Sequence, residues 1–158
     1  MLKEVDDRDW SDEDDYETPP PLYRRLCTQY GIHPRLDVAA RSHNTKCEIY
    51  LSDAMYQEWR LISEIVDIWC NPPHSMTEEF IRRADSQHKK YGMNIMMIIP
   101  ANVISTIVYH ELIENELKVK VENHPIKGRP IFLKNNQTAL FPSRNAYQII
   151  IWRQKTQI

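Results

Sequence analysis

The sequence has few cysteines and lacks the spacings that cysteine-dependent folds use. Its 158 residues include only Cys27, Cys47 and Cys70, an odd set without a Cys-x-x-Cys pair. This spacing argues against a disulfide framework and against a structural zinc site. The stretch HELIE at 110–114 has glutamate where the zinc-binding helix motif needs its second histidine. We therefore expect no metal site and a reducing, intracellular setting.

Long apolar runs are also absent. No stretch approaches the roughly 20 residues that cross a bilayer, and the acidic N-terminus does not fit a secretory signal. Hydrophobic residues make up 42% of the chain and charged residues 27%, which is ordinary globular composition. We expect no membrane partner and one domain with a sizeable core.

Charge is unevenly distributed along the chain. Residues 1–17 contain nine acids and two bases, a net charge of −7, whereas the remaining 141 residues carry +5. Such an acidic stretch is typical of a flexible, solvated arm. The alternative is that it competes with nucleic acid for a basic face, since a mildly basic body suits a polyanionic partner. We divide the chain into an acidic arm at 1–17 and a single domain at 18–158.

Alternating helix and strand patterns predict an α/β fold. Residue periodicity predicts helices at 20–30, 55–65, 76–92 and 103–116, strands at 33–40, 66–70 and 93–101, and a loop at 41–54. The continuous apolar run MNIMMIIPA at 93–101 is typical of a parallel strand covered on both faces. Strand patterns at 117–122, 128–133 and 146–153 close the chain. This order predicts an α/β sandwich with a mostly parallel central sheet and a C-terminal antiparallel hairpin.

Three predicted strands end in residues suited to a ligand site. Asp37, Asn71 and Pro100 stand at the carboxyl ends of the first three predicted strands. Ligands of parallel α/β sheets bind beyond these ends. We therefore expect the three residues to lie along one rim.

The tetrapeptide NPPH at 71–74 supports two interpretations. Two prolines fix the backbone and supply no N–H, so the carbonyls of Asn71 and Pro72 and the Asn71 amide oxygen can form an array of acceptors. Such an array suits an exocyclic amine like that of adenine, whose lone pair can then attack a sulfonium methyl group with positioning as the main catalytic device. The alternative is a plain turn in which Ser75 caps the next helix.

A resemblance covers most of the chain. It is carried by the segments YETPP (16–20), LDVAARSHNTKCEIYL (36–51), WCNPPHS (69–75), MMIIPA (96–101), IKGRPIF (126–132) and FPSRNAYQIIIWR (141–153). Together they resemble the compact viral DNA adenine-N6 methyltransferases, the phage-type Dam-like family. The resemblance implies a reduced class I, Rossmann-like methyltransferase that uses S-adenosyl-L-methionine to methylate N6 of adenine in double-stranded DNA, in the host cytoplasm if the protein is viral.

The resemblance also assigns site residues. The catalytic loop would be Asn71, Pro72, Pro73 and His74. The cofactor would be bordered by Thr18, Pro19, Pro20, Asp37, Ala39, Asn44, Tyr50 and Asp53. No glycine-rich turn comes directly after Asp37, so Ala39 and Ala40 must leave room for the cofactor.

His74 departs from the family pattern, which has Tyr or Phe at this position. We expect the neutral imidazole to stack on a base rotated out of the duplex, although its smaller face could cost about 1 to 3 kcal/mol. Protonation of an unperturbed imidazole, below roughly pH 6.5, would alter this binding. The alternative is a histidine that merely fills the position after the prolines.

Basic residues outside the cleft are the expected phosphate contacts. We expect sequence reading to lie in residues 122–145, by one chain or with a homodimer partner. The cations of this region are Lys127, Arg129, Lys134 and Arg144. Arg82, Arg83, Lys89 and Lys90, on the helix after the catalytic loop, are further candidates, and we expect no more than about half of the eight to contact DNA.

Two rival functions remain open from the sequence. One is the same chemistry on RNA adenine or a protein amide, because an Asn-Pro-Pro loop does not name the polymer. The other is a catalytically silent DNA-binding protein that keeps the fold. His74 supports this second rival, whereas intact Asn71, Pro72, Pro73 and Asp37 count against it.

Overall fold

The computed structural model describes residues 16–114, 121–134, 137–138 and 145–154. The helices are α1 (Pro20–Tyr30), α2 (Thr77–Tyr91) and α3 (Ile107–Leu112). The strands are β1 (Leu36–Asp37), β2 (Ile49–Tyr50), β3 (Ile68–Cys70), β4 (Ile95–Pro100), β5 (Val121–Pro125), β6 (Leu133–Lys134), β7 (Gln137–Thr138) and β8 (Tyr147–Trp152). Short 3-10 turns cover His74–Met76 and Ala101–Ser105.

The central sheet has six strands in the order β2-β1-β3-β4-β8-β5. Strands β2, β1, β3 and β4 pair in parallel, whereas β8 is antiparallel to both β4 and β5. Strands β6 and β7 form a separate antiparallel hairpin between β5 and β8 in the chain. The predicted Rossmann-like α/β sandwich with a mostly parallel sheet and antiparallel C-terminal strands is confirmed.

Both faces of the sheet are covered. Side chains of Met97 and Ile99 in β4 join a core cluster that includes residues of α2 and α3. The alternate residues Met96 and Ile98 join a second cluster with Leu26 of α1. All six residues of β4 are buried, so its continuous apolar pattern follows from burial on both sides.

Two predicted helices are confirmed, and both end at a glycine that the sequence shows. Helix α1 has proline in its first turn and ends at Gly31, which adopts φ 64°. Helix α2 ends at Gly92 with φ 76°. Glycine tolerates this left-handed conformation, which most side chains avoid.

The predicted helix at 55–65 is wrong, because this segment forms turns and bends. Trp59 is buried, its main-chain N–H donates to Gln87 Oε1 at 2.7 Å, and its indole N–H donates to the Ala54 carbonyl at 2.9 Å. Ile62, which a helix would place on the same face as Trp59, is 97% exposed. Contacts with α2 outweigh the helix preference of the segment, because such preferences are weak beside tertiary contacts.

The predicted helix at 103–116 is interrupted. Thr106 is extended, with φ −86° and ψ 153°, and its hydroxyl accepts from the Tyr109 N–H to cap α3. The helix therefore starts at Ile107, and residues 115–120 lie outside the described part of the chain. Strand β2 lies in the segment 41–54 that was expected to be a loop.

In the described part of the chain, no helix is long and apolar enough to cross a membrane. Among these same residues, no group of three or more His, Cys, Asp or Glu could hold a metal ion. All three cysteines are free thiols.

Candidate active site

The three expected strand ends lie along one edge of the sheet. Asp37 is the last residue of β1 and pairs in register with Trp69 of β3, and Cys70 pairs with Met97 of β4. Asn71 follows β3 directly, and Pro100 ends β4. Because these strands are parallel, their carboxyl ends form the predicted rim.

The side chain of Asn71 has a defined orientation at this rim. Its Nδ2 atom donates to the Tyr16 carbonyl at 3.0 Å and to Thr18 Oγ1 at 3.1 Å. A main-chain carbonyl can only accept and only the nitrogen of an amide can donate, so the bond to Tyr16 fixes which way the amide points. The oxygen Oδ1 is consequently directed away from Tyr16 and Thr18. Thr18 is 1% exposed, so its hydroxyl is held firmly in the interior.

The residues after Asn71 form a rigid, buried connection. Pro72 and Pro73 are buried, and the Pro73 carbonyl accepts from the Met76 N–H at 2.9 Å as the chain enters the 3-10 turn. Ser75 is exposed, and α2 begins at Thr77 with Met76 as the preceding residue. The N-cap residue of α2 is therefore Met76 and not Ser75.

His74 belongs to an aromatic cluster made of Tyr16, His74, Phe132 and Tyr147. The His74 ring lies nearly parallel to that of Tyr16, with centroids 5.9 Å apart and an interplanar angle of 20°. The Tyr147 hydroxyl is hydrogen-bonded to His74 Nε2 at 2.9 Å. Phe132 packs on Tyr147 with centroids 4.7 Å apart. The imidazole is thus oriented by two tyrosines from distant parts of the chain.

The loop from Asn71 to His74 lies between two clefts. The wide cleft has a volume of about 360 Å³, and its lining includes His74, Glu78, Pro100, Asn102 and Asn145. The narrow cleft, of about 10 Å³, is lined by residues of β1, β3 and the N-terminal segment. These include Thr18, Asp37, Ala39, Asn44, Lys46 and Asn71.

Asp37 organises the loop that forms one wall of the narrow cleft. It is 2% exposed, its Oδ1 accepts from the Ala39 N–H at 3.2 Å, and its Oδ2 accepts from the Lys46 N–H at 2.9 Å. Burial raises the pKa of Asp37 to about 6, and the two backbone hydrogen bonds oppose that rise. Its carboxyl group therefore ties the strand end to the loop that carries Asn44, whose Oδ1 accepts from the Arg41 N–H.

The structure brings together only part of the predicted cofactor set. Thr18, Asp37, Ala39 and Asn44 share the narrow cleft with Asn71. Tyr50, on the edge strand β2, and the exposed Asp53 do not belong to its lining. The two prolines of the predicted set are at the start of α1, where Pro19 is the N-cap residue and Pro20 the first helical residue.

Sequence reasoning missed three residues at the site. Lys46 and Glu17 line the narrow cleft and form an ion pair, and Tyr147 holds His74. Glu17 was counted with the acidic arm, yet its main chain forms two hydrogen bonds with Leu133, at 2.7 and 2.8 Å. Its position next to the threonine of YETPP was the available signal.

Three of the four predicted DNA contacts lie in the described part of the chain. Lys127 and Arg129 are exposed, on the connection from β5 to β6. Lys134 lies in β6, and Arg144 lies outside the described residues. The pairing of Leu133 with Glu17 puts the β6–β7 hairpin beside the residues that orient Asn71.

Most cations of α2 already form ion pairs or hydrogen bonds with other residues of the chain. Arg83 donates to the Gln57 carbonyl at 2.7 Å, and Lys90 pairs with Glu58 at 2.6 Å. Lys89 pairs with Asp85 at 2.7 Å. These contacts compete with any phosphate, so the region around Lys127 is the better DNA candidate.

A family model described as DNA N-6-adenine-methyltransferase (Dam) matches residues 7–157. The chain belongs to the Dam family. A DNA N-6-adenine-methyltransferase of Escherichia phage T1 is 29% identical to it over 104 residues, which cover 66% of this chain and 42% of that protein. This Dam-family chain thus aligns with less than half the length of that phage relative. The resemblance read from the motifs is confirmed.

Proposed function

We propose that this Dam-family chain transfers a methyl group from S-adenosyl-L-methionine to N6 of adenine in double-stranded DNA. The observation that carries the proposal is the fixed amide of Asn71, whose nitrogen is engaged by Tyr16 and Thr18 at the carboxyl end of β3. An oriented amide oxygen at this place is the group that an amino-methylating enzyme needs.

In the proposed reaction Asn71 Oδ1 and the carbonyls of the proline loop accept hydrogen bonds from the N6 amino group. These bonds localise the lone pair on N6 and aim it for in-line attack. When bound, S-adenosyl-L-methionine supplies an electrophilic methyl group on a sulfonium. Transfer of this methyl group to N6 would leave S-adenosylhomocysteine, and the proton lost from N6 would pass to solvent.

The chemistry of the narrow cleft fits this cofactor. Hydrogen-bonding groups of Thr18, Asp37 and Asn44 line it beside Asn71. Ala39 and Ala40 are small and buried, which supports their proposed role in place of a glycine-rich turn. We assign Pro19 and Pro20 to the border of the methionine end, and Tyr50 and Asp53 to the adenosine half.

The wide cleft is the proposed place for the target base. Its volume of about 360 Å³ suits a nucleotide rotated out of the duplex. His74 lies in its wall, and the bond from Tyr147 fixes the imidazole. We propose that His74 stacks on the adenine in place of the usual larger aromatic.

DNA would be held outside the clefts. Lys127, Arg129, Lys134 and Arg144 are the proposed phosphate contacts, in one chain or in a homodimer. The connection that carries Lys127 and Arg129 leads into β6, and β6 pairs with the segment that orients Asn71, so bound DNA would lie over the catalytic loop. The reaction would take place inside the cell that holds the DNA.

Incubation with tritiated S-adenosyl-L-methionine tests the proposal. Duplex DNA, RNA and a protein mixture are offered separately, and labelled products are digested and identified by chromatography. The proposal predicts label in N6-methyldeoxyadenosine alone. Label in RNA or protein would mean that RNA or protein is the substrate. Binding of the cofactor without any labelled product would indicate a catalytically silent DNA-binding protein.

A further inference from the structure

A buried ion pair lies in the wall of the narrow cleft. Lys46 Nζ is 2.6 Å from Glu17 Oε1, and the two side chains are only 6% and 14% exposed. Both residues line the cleft together with Asn71 and Asp37. Two opposite charges are thus held, almost without water, beside the proposed methyl-transfer loop.

The position of Lys46 is fixed from both ends of the residue. Its main-chain N–H donates to Asp37 Oδ2 at 2.9 Å, and its ammonium group is within 3.4 Å of the Asn44 carbonyl. Glu17 is fixed by its backbone pairing with Leu133. The two charges therefore face each other from two independently anchored segments.

Structural stability alone is a weak reason for such a pair. Removing two charges from water is costly, and buried ion pairs are often replaced by apolar residues without loss of stability. The ion pair is also not needed to hold the two segments in place, because the backbone hydrogen bonds of Glu17 and Lys46 already do so. A pair that lines a cleft is better explained by a ligand with two charges.

The proposed methyl donor has such a pair of charges. Its methionine part is a zwitterion, with a carboxylate and an ammonium group on one carbon, attached close to the sulfonium that must face Asn71. Lys46 can donate to the carboxylate, and Glu17 can accept from the ammonium. The cleft measures only about 10 Å³, so the two side chains must separate to admit the ligand.

We propose that Glu17 and Lys46 recognise the aminocarboxylate of the methyl donor, exchanging their mutual ion pair for one contact each with the zwitterion. This inference rests on the proposed function. It assigns the zwitterion to a residue of the acidic N-terminal stretch and to a lysine of the β1–β2 loop. It also explains why Glu17 packs against the domain.

Calorimetric titration with two ligands isolates the aminocarboxylate. S-adenosylhomocysteine carries it, whereas 5′-methylthioadenosine keeps the adenosine and thioether but lacks it. Lys46→Met and Glu17→Gln should each weaken S-adenosylhomocysteine binding about tenfold or more, the scale of losing one hydrogen bond to a charged group. Binding of 5′-methylthioadenosine should stay within about twofold, because its contacts do not include the pair.

Two controls separate recognition from folding. Arg35→Met and Glu64→Gln disrupt an exposed ion pair of the same 2.6 Å length, involving the residue just before β1, and should change neither affinity. The double substitution Glu17→Lys with Lys46→Glu keeps an ion pair but reverses it. It should preserve the thermal midpoint without restoring S-adenosylhomocysteine binding.

The outcomes distinguish this inference from the function on which it rests. If wild type binds both ligands equally well, or if the reversed pair restores binding, the pair is structural and the inference fails alone. If the single variants weaken the binding of both ligands equally, the inference also fails while the proposed function stands. If wild type binds neither ligand, the proposed cofactor fails and the inference with it.

Discussion

Asn71 Nδ2 donates a hydrogen bond to Thr18 Oγ1 at 3.1 Å, between residues 53 positions apart in the chain. The second donor bond of the same nitrogen goes to the Tyr16 carbonyl. Turning the amide over would set Oδ1 against the Tyr16 carbonyl, which can only accept, so the bond to Tyr16 selects the orientation and the bond to Thr18 holds the amide in it. The threonine of the YETPP segment is therefore a positioning residue for the proposed catalytic amide.

Thr18→Val should lower kcat by about 10- to 100-fold, since it removes a hydrogen-bond acceptor from a buried donor. The KM for DNA should change little, because Thr18 touches the amide and not the duplex. Thr18→Ser keeps the hydroxyl and should restore most of the activity. Steady-state kinetics of the two variants check this, and a serine variant as slow as the valine variant would show that packing matters more than the bond.

His74→Ala should slow methylation by about 5- to 150-fold, the range for loss of one base-stacking contact. His74→Phe should retain activity, because phenylalanine offers a larger face. Single-turnover kinetics on duplex DNA make the comparison. An alanine variant as active as wild type would remove the stacking role.

The bond between Tyr147 and His74 is tested by a double-mutant cycle. Tyr147→Phe removes only the hydroxyl that meets His74 Nε2, so it should slow the wild-type enzyme. The same change should have no effect when residue 74 is already phenylalanine. Equal effects in both backgrounds would show that Tyr147 acts independently of His74.

Asp37 should make the free energy of unfolding decrease as pH rises, the opposite of the usual effect of a paired carboxylate. Burial raises its pKa to about 6 from an ordinary value of 3.8, so between about pH 4 and 6 the folded chain keeps a proton that the unfolded chain has released. Its contribution to the free energy of unfolding therefore falls as pH rises through this window, by roughly 3 kcal/mol at about 1.4 kcal/mol per pKa unit.

Urea unfolding of wild type and Asp37→Asn across this range measures the effect, because the asparagine does not titrate. The stability of wild type relative to the variant should decrease from about pH 4 to 6 and then level off. A relative stability that increases with pH would mean that the N–H groups of Ala39 and Lys46 stabilise the ionised carboxylate more than burial disfavours it.

Arg129→Ala should weaken duplex binding and reduce the slope of log affinity against log salt by about 0.9, the value for one lost phosphate contact. Arg35→Ala, which removes an equal charge from a side chain paired with Glu64, is the matched control and should leave the slope unchanged. Fluorescence anisotropy at several salt concentrations gives both slopes. An unaltered slope for Arg129→Ala would exclude it as a contact.

The sequence predicted those parts of the fold that local pattern determines. The apolar run of β4 and the glycines that end α1 and α2 are local signals, and each proved reliable. The prediction for 55–65 was wrong although Met55, Trp59 and Ile62 have helical spacing. The backbone conformation there depends on the burial of Trp59 and its hydrogen bond to the distant Gln87.

At the site, the sequence located the rim but not its internal contacts. Asp37 and Asn71 were found because each ends a recognisable strand. The direction of the Asn71 amide and the pairing of Glu17 with Lys46 depend on contacts between residues far apart in the chain. No periodicity or short motif encodes such contacts.

The central claim is that the Asn71 amide drives methylation of adenine N6. Mass spectrometry of nucleosides from duplex DNA, after incubation with methyl-deuterated S-adenosyl-L-methionine, measures this directly for wild type and Asn71→Ala. The proposed reaction predicts deuterated N6-methyldeoxyadenosine with wild type and a loss of about 100-fold or more in the variant, the scale for one preorganised catalytic hydrogen-bonding group. Equal product from both proteins, or unmodified adenine with wild type that binds the cofactor, would contradict it.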